Sequence, residues 1–338
     1  MCLRKCRVNR RSVFVIGVIL IVIATGSGIL LLVSPPANTR TRPEFNIGGL
    51  LVNDFTYVLQ YDSFGGREAA VTALITTPYD LLIIDLFFDS SSMWTAGEIA
   101  TMKRGADEGS RKILLCYMSI GEAEDYRPYW NDEWDADEDG VPDEGAPSWL
   151  DIEDPDWPGN YKVRYWDPGW QAIIYGNASS YLDQIISRGF DGVYLDIVDA
   201  YEYYEDRGVD DADQRMVDFV AGLSSYAKSA RPGFLIVPQN GENLARRIPD
   251  YLNHVDGIGR EDIYTVDNEV QDSVEVNATL SDFALFLDVG KFVLDIEYPD
   301  DISLLADCYH HAAEWGFLCY VGPRALDRIQ VNPGFEPD

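Results

Sequence analysis

Eight short apolar runs alternate with longer helical patterns from residue 55 onward, and this alternation constrains the fold more than any other feature. The runs lie at residues 56–61, 81–87, 113–119, 192–197, 234–238, 257–261, 292–296 and 317–321. Helical patterns fall between them, for example at residues 67–77, 95–108, 170–187, 213–230 and 302–315. Most runs are apolar on both faces, which is typical of parallel strands covered by helices. The sequence therefore predicts an α/β fold, a (β/α)₈ TIM barrel over residues 55–332.

The pattern departs from simple alternation at one place. Residues 127–167 lie between the third and fourth runs and predict a long insertion after strand three. No Gly-rich phosphate-binding fingerprint follows the first run, so a doubly wound sheet is the weaker alternative.

The first 54 residues have a composition of their own. Residues 1–12 are a basic head, residues 13–33 are a 21-residue apolar run, and residues 34–54 are interpreted as a linker. About 20 apolar residues span the roughly 30 Å hydrocarbon core of a bilayer, so the run predicts a transmembrane anchor, with a cleaved signal segment as the alternative. The basic head predicts a cytoplasmic N-terminus. The domain is therefore expected at the cell surface, or secreted if the segment is cleaved.

The charge balance excludes one class of partner. Asp and Glu number 57 against 26 Lys and Arg, which gives a net charge of −31. A surface this negative repels phosphate backbones, so no nucleic-acid partner is expected. Cys116, Cys308 and Cys319 are an odd number in apolar surroundings, so the sequence does not indicate a disulfide framework.

Polar residues stand where nearly every predicted strand ends. They are Tyr61, Asp85, Glu122, Asp196, Gln239, Asn240, Glu261, Glu297 and Tyr298. In a barrel the carboxyl ends of the strands share one mouth, so these groups are expected to line one site. Paired carboxyls supply the acid and the base or nucleophile that cleave a glycosidic bond. Metal-dependent hydrolysis is disfavoured, because His254, His310 and His311 all lie away from the predicted strand ends.

Six segments together resemble one known family. They are CYMSIGEAEDYRPYW, GFDGVYLDIVDAY, VPQNGE, VDGIGRED, VLDIEYP and GFLCYVGPRAL, in this order along the chain. As a set they resemble glycoside hydrolase family 114, the endo-α-1,4-polygalactosaminidases, also labelled as extracellular TIM-barrel proteins related to cysteinyl-tRNA synthetase. The sequence contains no HIGH or KMSKS-like nucleotide-binding signature, so a synthetase activity is not expected.

The resemblance implies a barrel enzyme that hydrolyses a polymer of partly deacetylated galactosamine. It implies Asp196 as the nucleophile and Glu261 as the general acid/base. Two alternatives stay open: Asp196 could be a structural acid that caps the next loop, and Asp262 could take the place of Glu261. Such a pair retains configuration when the carboxyls lie ~5–5.5 Å apart and inverts it at ~6.5–9.5 Å. We expect a monomer that acts on a polysaccharide or oligosaccharide and needs no cofactor for catalysis.

The remaining strand-end residues are expected to position the substrate or to support the residues that do. They are Tyr61, Asp85, Glu122, Gln239, Asn240, Glu297 and Tyr298. For Asp85, a core position paired with Arg or Tyr is nearly as well favoured. Carboxylates that face an ammonium group of an amino sugar would make charge-assisted hydrogen bonds.

The insertion is rich in tryptophan. Six of the eight tryptophans lie between residues 130 and 170, where aromatic faces could stack on sugar rings or form a small satellite core. The satellite core is favoured for most of them, whereas Trp130 and Trp166 are predicted to line a groove.

Within the insertion, DADEDGVPDEG has the spacing of a calcium loop. Asp135, Asp137, Asp139, Val141 and Asp143 stand at positions 1, 3, 5, 7 and 9. Position 12 is Ala146 instead of a bidentate Glu, so a solvated acidic loop is an equal alternative to a structural Ca²⁺ site. The main functional alternative to a glycosidase is a catalytically silent carbohydrate-binding barrel at the cell surface.

Overall fold

The computed structural model describes residues 42–106 and 109–337. The predicted basic head, the apolar segment 13–33 and the first part of the predicted linker lie outside the described residues. Within the described ranges, every helix is too short or too polar to cross a membrane.

Eight parallel strands form the centre of the fold. They are β1 (Phe55–Val58), β2 (Leu81–Asp85), β3 (Ile113–Ser119), β4 (Gly192–Asp196), β5 (Leu235–Pro238), β6 (Gly257–Glu261), β7 (Phe292–Glu297) and β8 (Leu318–Val321). Strands β1 to β5 pair side by side in chain order, and β6, β7 and β8 do the same. Every residue of β2 and β3 is buried, as the doubly apolar runs predict.

Two junctions join these groups of strands. Between β5 and β6, the Asn240 N–H donates to the Gly259 carbonyl at 2.9 Å and the Asp256 N–H to the Ile236 carbonyl at 2.8 Å. Between β8 and β1, the ring of Tyr320 lies 5.9 Å from that of Phe55. The predicted α/β class and parallel central sheet are confirmed, and the strands follow one another in chain order around a barrel.

Nine helices are present in the described ranges. They are α1 (Arg67–Thr76), α2 (Ala96–Arg104), α3 (Pro168–Ile174), α4 (Tyr181–Arg188), α5 (Ala200–Glu205), α6 (Ala212–Ala230), α7 (Leu244–Arg247), α8 (Ser273–Asp288) and α9 (Ile302–Trp315). The single helix predicted over residues 170–187 is wrong. It is divided into α3 and α4, because Gly176 takes a positive φ of 107° that a helix does not accommodate.

The predicted linker ends in an ordered hairpin. The strands Phe45–Ile47 and Leu50–Val52 pair antiparallel around two glycines with positive φ, Gly48 and Gly49. Ile47 and Val52 are buried, and the Phe45 ring lies 6.3 Å from that of Phe292 at the start of β7. The hairpin therefore packs against the amino-terminal end of the barrel, opposite the predicted site.

The insertion folds around a small antiparallel sheet of three strands. Glu122–Glu124 pairs with Asn160–Val163, which pairs in turn with Leu150–Glu153. Beside this sheet, tryptophan rings contact one another in series, with centroids 5.0–5.3 Å apart, from Trp130 through Trp134 and Trp149 to Trp170. Most of the tryptophans thus form the predicted satellite core.

Candidate active site

A cleft of about 780 Å³ opens at the carboxyl ends of the barrel strands. The sequence-predicted residues that line it are Glu122, Asp196, Gln239, Asn240, Glu261 and Tyr298. They come from five different strands or the turns that follow them. The barrel therefore brings together groups that are up to 176 positions apart in the chain, from Glu122 to Tyr298.

Asp196 is the last residue of β4, and both of its carboxylate oxygens accept hydrogen bonds. The Tyr117 hydroxyl donates to Oδ2 at 2.7 Å, and the Ile197 N–H donates to Oδ1 at 2.8 Å. Ile197 has a φ of 57°, a strained conformation for a β-branched residue. Its carbonyl would lie 2.1 Å from a Cβ at position 121, so Gly121 is needed for the turn that fixes Asp196.

The environment of Asp196 favours its neutral form. Removal from water raises the pKa of this carboxyl to about 8, and the negative charge of Glu261 adds to the shift. The hydrogen bonds from Tyr117 and Ile197 oppose the shift because they stabilise the charged form.

Glu261 is the last residue of β6, and it is also held through both oxygens. Gln239 Nε2 donates to Oε2 at 2.9 Å, and the Tyr298 hydroxyl donates to Oε1. The Tyr57 hydroxyl donates to Gln239 Oε1 at 3.4 Å, which orients the amide. Burial raises the pKa of Glu261, while the bond from Tyr298 opposes that change. Each carboxyl of the pair thus has a tyrosine hydroxyl as donor.

Asp262, the alternative to Glu261, has a different surrounding. Its Oδ1 accepts a hydrogen bond of 2.7 Å from Arg324, whose guanidinium lies 4.3 Å from the centre of the Tyr298 ring. Asp262 does not line the 780 Å³ cleft, whereas Glu261 and Arg324 do. The geometry therefore favours Glu261 as the group that faces a ligand.

One further carboxylate set lies in the cleft. Glu122, only 1% exposed, accepts from Lys162 Nζ at 2.5 Å and from Asn160 Nδ2 at 3.2 Å. The same ammonium group lies 2.6 Å from Asp154. Burial raises the pKa of Glu122, and Lys162 opposes this change. Lys162 is therefore shared between two acids that both line the cleft.

Asp85 and Tyr61, predicted to position the substrate or to support the residues that do, lie outside the cleft lining. Asp85 is 6% exposed and receives two hydrogen bonds from Arg127, at 3.0 and 2.8 Å. Tyr61 is buried and its hydroxyl accepts from the Asp85 N–H at 3.2 Å. Asp85 thus occupies a core position paired with Arg127 and Tyr61, which is the alternative that the sequence analysis gave for it.

Glu297 is also removed from the cleft and has no measurable exposure. It accepts from the Thr265 N–H at 3.0 Å, the Thr265 hydroxyl at 2.5 Å and the Tyr264 N–H at 2.5 Å. It therefore fastens the segment that follows β6 instead of binding substrate.

The two tryptophans predicted to line a groove do not line the cleft. The Trp130 ring packs 4.6 Å from Tyr161, and the Trp166 ring packs 4.7 Å from Tyr204. Both are half-buried members of aromatic clusters. Trp157 instead reaches the cleft, in a turn of the insertion.

Several cleft residues escaped the reasoning from sequence, chiefly Tyr57, Tyr117, Asp154, Trp157 and Lys162. A signal for Tyr117 exists in the strand itself, since residues two apart point to the same face and Tyr117 precedes Ser119 by two. For Lys162 and Trp157 no local pattern marks the side that faces the barrel mouth.

The acidic loop gathers part of the predicted calcium set. Carboxylate oxygens of Asp135, Asp137 and Asp143 lie within 4.8 Å of one another. Asp139 instead accepts from the Val141 N–H at 2.9 Å and does not belong to this group. A set of oxygen ligands fits Ca²⁺, although three carboxylates are fewer than its usual six to eight ligands.

Two carboxyls that end different barrel strands and open into one cleft are the arrangement of a glycoside hydrolase. The model of glycoside-hydrolase family GH114 matches residues 37–334 of the chain. The chain therefore belongs to this family, and the resemblance drawn from its motifs is confirmed.

The chain is also similar to proteins of other organisms and to a solved structure. A protein of Deinococcus radiodurans is 38% identical over 269 residues, which cover 79% of this chain and 80% of that protein. The protein MJ1477 of Methanocaldococcus jannaschii is 34% identical over 281 residues, 78% of this chain and 76% of that protein. The glycoside hydrolase domain of PelA from Pseudomonas aeruginosa has the same fold, with a TM-score of 0.59, 14% identity and coverage of 82% of this chain and 97% of that domain.

Proposed function

We propose that this glycoside hydrolase cleaves an amino-sugar polymer similar to α-1,4-galactosaminan, with Asp196 as nucleophile and Glu261 as general acid/base. The observation that carries the proposal is the pair itself, since Asp196 and Glu261 line one cleft and the charge of Glu261 helps to raise the pKa of Asp196. A double displacement requires one ionised and one protonated carboxyl.

The role of each carboxyl follows from its neighbours. Hydrogen bonds to both oxygens of Asp196 favour a fixed, ionised carboxylate that can attack the anomeric carbon. One observation favours the reverse assignment, because a pKa of about 8 places the proton on Asp196 near neutral pH. An ammonium group of the substrate near Asp196 would lower that pKa and move the proton to Glu261.

The charge of the cleft supports an amino-sugar substrate. Six of its lining residues are acids, Glu122, Asp154, Asp196, Asp199, Glu202 and Glu261, against the two cations Lys162 and Arg324. Protonated amino groups are attracted to such a surface and form charge-assisted hydrogen bonds with carboxylates. A uronic-acid polymer would be repelled.

The test is hydrolysis of a panel of polysaccharides: partly deacetylated α-1,4-galactosaminan, chitosan, chitin and polygalacturonate. We expect new reducing ends from the first, and a loss of about 10³-fold or more in Asp196→Asn and in Glu261→Gln. Full activity in either variant would overturn the catalytic assignment.

A substrate with a good leaving group separates the two roles. A leaving group such as fluoride needs no protonation, so the variant of the acid still releases a first burst of fluoride as the glycosyl-enzyme forms, although water then attacks slowly without the base. The variant of the nucleophile gives no burst. We expect Glu261→Gln to cleave a galactosaminyl fluoride while Asp196→Asn stays inactive. The opposite result would exchange the roles.

A catalytically silent carbohydrate-binding barrel is the competing function. It would bind the same polymers without releasing reducing ends, and binding would persist in Asp196→Asn. Equilibrium binding to immobilised galactosaminan with no hydrolysis by the wild-type chain would favour this alternative.

We further propose the setting in which the enzyme acts. Residues 13–33 would anchor the chain with the barrel on the outer side of the membrane, or would be cleaved and release it. Ca²⁺ would order the insertion through Asp135, Asp137 and Asp143, a structural role apart from the bond cleavage. The barrel would act as a monomer.

A further inference from the structure

Trp157 differs from every other tryptophan of the chain. It is 61% exposed, whereas the other seven are buried or half-buried. Each of those seven packs against another aromatic ring, and among the described residues Trp157 has no such partner. Because Trp157 also lines the cleft, its exposed indole offers an apolar face to a ligand there.

The turn that carries Trp157 is fixed by backbone hydrogen bonds. The Trp157 N–H donates to the Asp154 carbonyl at 3.1 Å, and the Asn160 N–H donates to the Trp157 carbonyl at 3.0 Å. The Asp125 N–H donates to the Gly159 carbonyl at 2.8 Å, which joins the turn to the strand Glu122–Glu124. The small sheet of the insertion thus supports the indole at the cleft.

Polar groups line the same cleft as this ring. Lys162 lies between Glu122 and Asp154, at 2.5 and 2.6 Å, and 5.6 Å from the centre of the Tyr203 ring. All of these residues line the cleft together with Trp157. An apolar face next to fixed donors and acceptors matches a sugar, which has a C–H face and a polar edge.

We propose that Trp157 and the trio Glu122, Asp154 and Lys162 form a subsite for a hexosamine unit remote from the bond that is cleaved. The indole would cover the C–H face of the sugar. The carboxylates would accept from its hydroxyl and ammonium groups, and Lys162 would donate to its oxygens. The identity of the sugar rests on the proposed function.

We place the subsite away from the reacting centre because its aromatic ring belongs to the insertion. The subsite belongs entirely to the segment that follows β3, whereas Asp196 ends β4 and Glu261 ends β6. We expect a substrate that contacts both Trp157 and these two carboxyls to span more than one sugar unit. Loss of the indole should therefore weaken binding of long chains and leave the chemical step unchanged.

The experiment compares the full-length wild type with Trp157→Ala, Trp157→Tyr and a matched control. The control is Ile152→Ala, which truncates a 38% exposed side chain of the same small sheet outside the cleft. Each protein is assayed for hydrolysis of partly deacetylated galactosaminan and of a galactosaminyl fluoride. Binding to the polymer is measured separately by affinity electrophoresis, and folding by the melting temperature.

We expect Trp157→Ala to raise the KM for the polymer and weaken binding by about tenfold, with kcat and the melting temperature unchanged. Trp157→Tyr keeps a ring and should stay within about threefold of wild type, and cleavage of the fluoride should be unaffected in all variants.

The outcomes separate this subsite from the proposed function. If the wild type cleaves the polymer and Trp157→Ala matches it in KM and binding, the subsite is wrong and the function stands. If the wild type binds without cleaving, and binding depends on the indole, the function is lost and the subsite stands. A lower kcat on the fluoride would place Trp157 at the reacting centre and overturn its remoteness, and no binding by the wild type would refute both.

Discussion

Four strands of the barrel end in an acid, and these acids have two kinds of surroundings. Asp196 and Glu261 open into the cleft, with tyrosine hydroxyls as donors. Asp85 and Glu297 occupy the same level of the barrel but are tied to Arg127 and to the Thr265 segment. A strand end therefore places an acid near the mouth of the barrel. The residues that bind the acid then determine whether it can contact a ligand or instead stabilises the fold.

The largest effect is expected from Asp85→Asn. The new amide directs an N–H toward the Arg127 guanidinium in place of one carboxylate oxygen, which leaves a buried cation partly unpaired. Burial raises the pKa of Asp85 and Arg127 opposes this shift, so the ion pair depends on that partner. We expect a loss of about 3 kcal/mol of unfolding free energy and a decrease of roughly 6–12 °C in melting temperature.

The matched control for this change is Asp62→Asn, an exposed acid that follows β1. It should melt within about 1 °C of wild type, as surface substitutions do. Equal melting temperatures for Asp85→Asn and wild type would mean that Asp85 is neutral, and the distinction between the two kinds of acid would fail.

Asp196→Asn should change stability in the opposite direction. The pKa of Asp196 is about 8 in the folded protein against 3.8 ordinarily, so between these values the folded state holds a proton that the unfolded chain releases. The stability of the wild type therefore falls as pH rises from about 4 to about 8. The amide cannot ionise, so the variant should exceed wild type by about 2 kcal/mol at pH 8 and by little at pH 4.

Thermal unfolding of Asp196→Asn and wild type between pH 4 and pH 8 tests whether the variant is the more stable protein and whether the difference grows with pH. A difference in stability that does not vary with pH would contradict the shifted pKa. Greater stability with lost activity is the expected signature of a carboxyl kept for catalysis at a cost to the fold.

Tyr117→Phe and Tyr298→Phe sharpen the comparison between Asp196 and Glu261. The bond from Tyr117 lowers the pKa of Asp196, and the bond from Tyr298 lowers that of Glu261, so each loss raises the pKa of one carboxyl. If Asp196 acts ionised and Glu261 protonated, the first variant moves the acidic limb of kcat/KM upward and the second moves the alkaline limb upward. Each should lower kcat/KM about tenfold.

Tyr226→Phe serves as the control, because this hydroxyl bonds to Asp183 on the helical layer far from the cleft residues. In Tyr226→Phe, the acidic and alkaline limbs of the pH profile of kcat/KM should match those of the wild type. A shift of the alkaline limb in Tyr117→Phe would favour Asp196 as the acid.

The strands and the acids that end them could be predicted from the sequence, whereas contacts between residues far apart in the chain could not. The strands were recognisable because burial on both faces leaves a continuous apolar run, and Asp196 and Glu261 because they end such runs. Asp85 could not be assigned because its partner Arg127 lies 42 positions away and meets it only in the folded barrel. Trp130 and Trp157 were indistinguishable by composition, since ring contacts across the insertion decide which one is exposed. The hairpin in the predicted linker had a local signal that went unused, the two glycines between apolar residues.

The smallest effect concerns a third group of acids, which lies in the insertion away from the barrel axis. Asp135, Asp137 and Asp143 bring three carboxylates together, and the charges of Asp139 and its neighbours raise the pKa of Asp137. A cation that binds here would relieve this repulsion. We expect 10 mM Ca²⁺ to raise the melting temperature by about 2–4 °C, near 1 kcal/mol, and Mg²⁺ to do less because it requires near-ideal octahedral geometry.

Asp137→Asn should abolish this response and Glu138→Gln should keep it, since Glu138 is exposed and outside the group. The rate of hydrolysis should be the same with Ca²⁺ and with a chelator, because Asp196 and Glu261 need no metal to cleave a glycosidic bond. Equal Ca²⁺ responses in both variants would show that the ion acts elsewhere. A loss of activity on chelation would instead link this loop to the order of the neighbouring turn that presents Trp157.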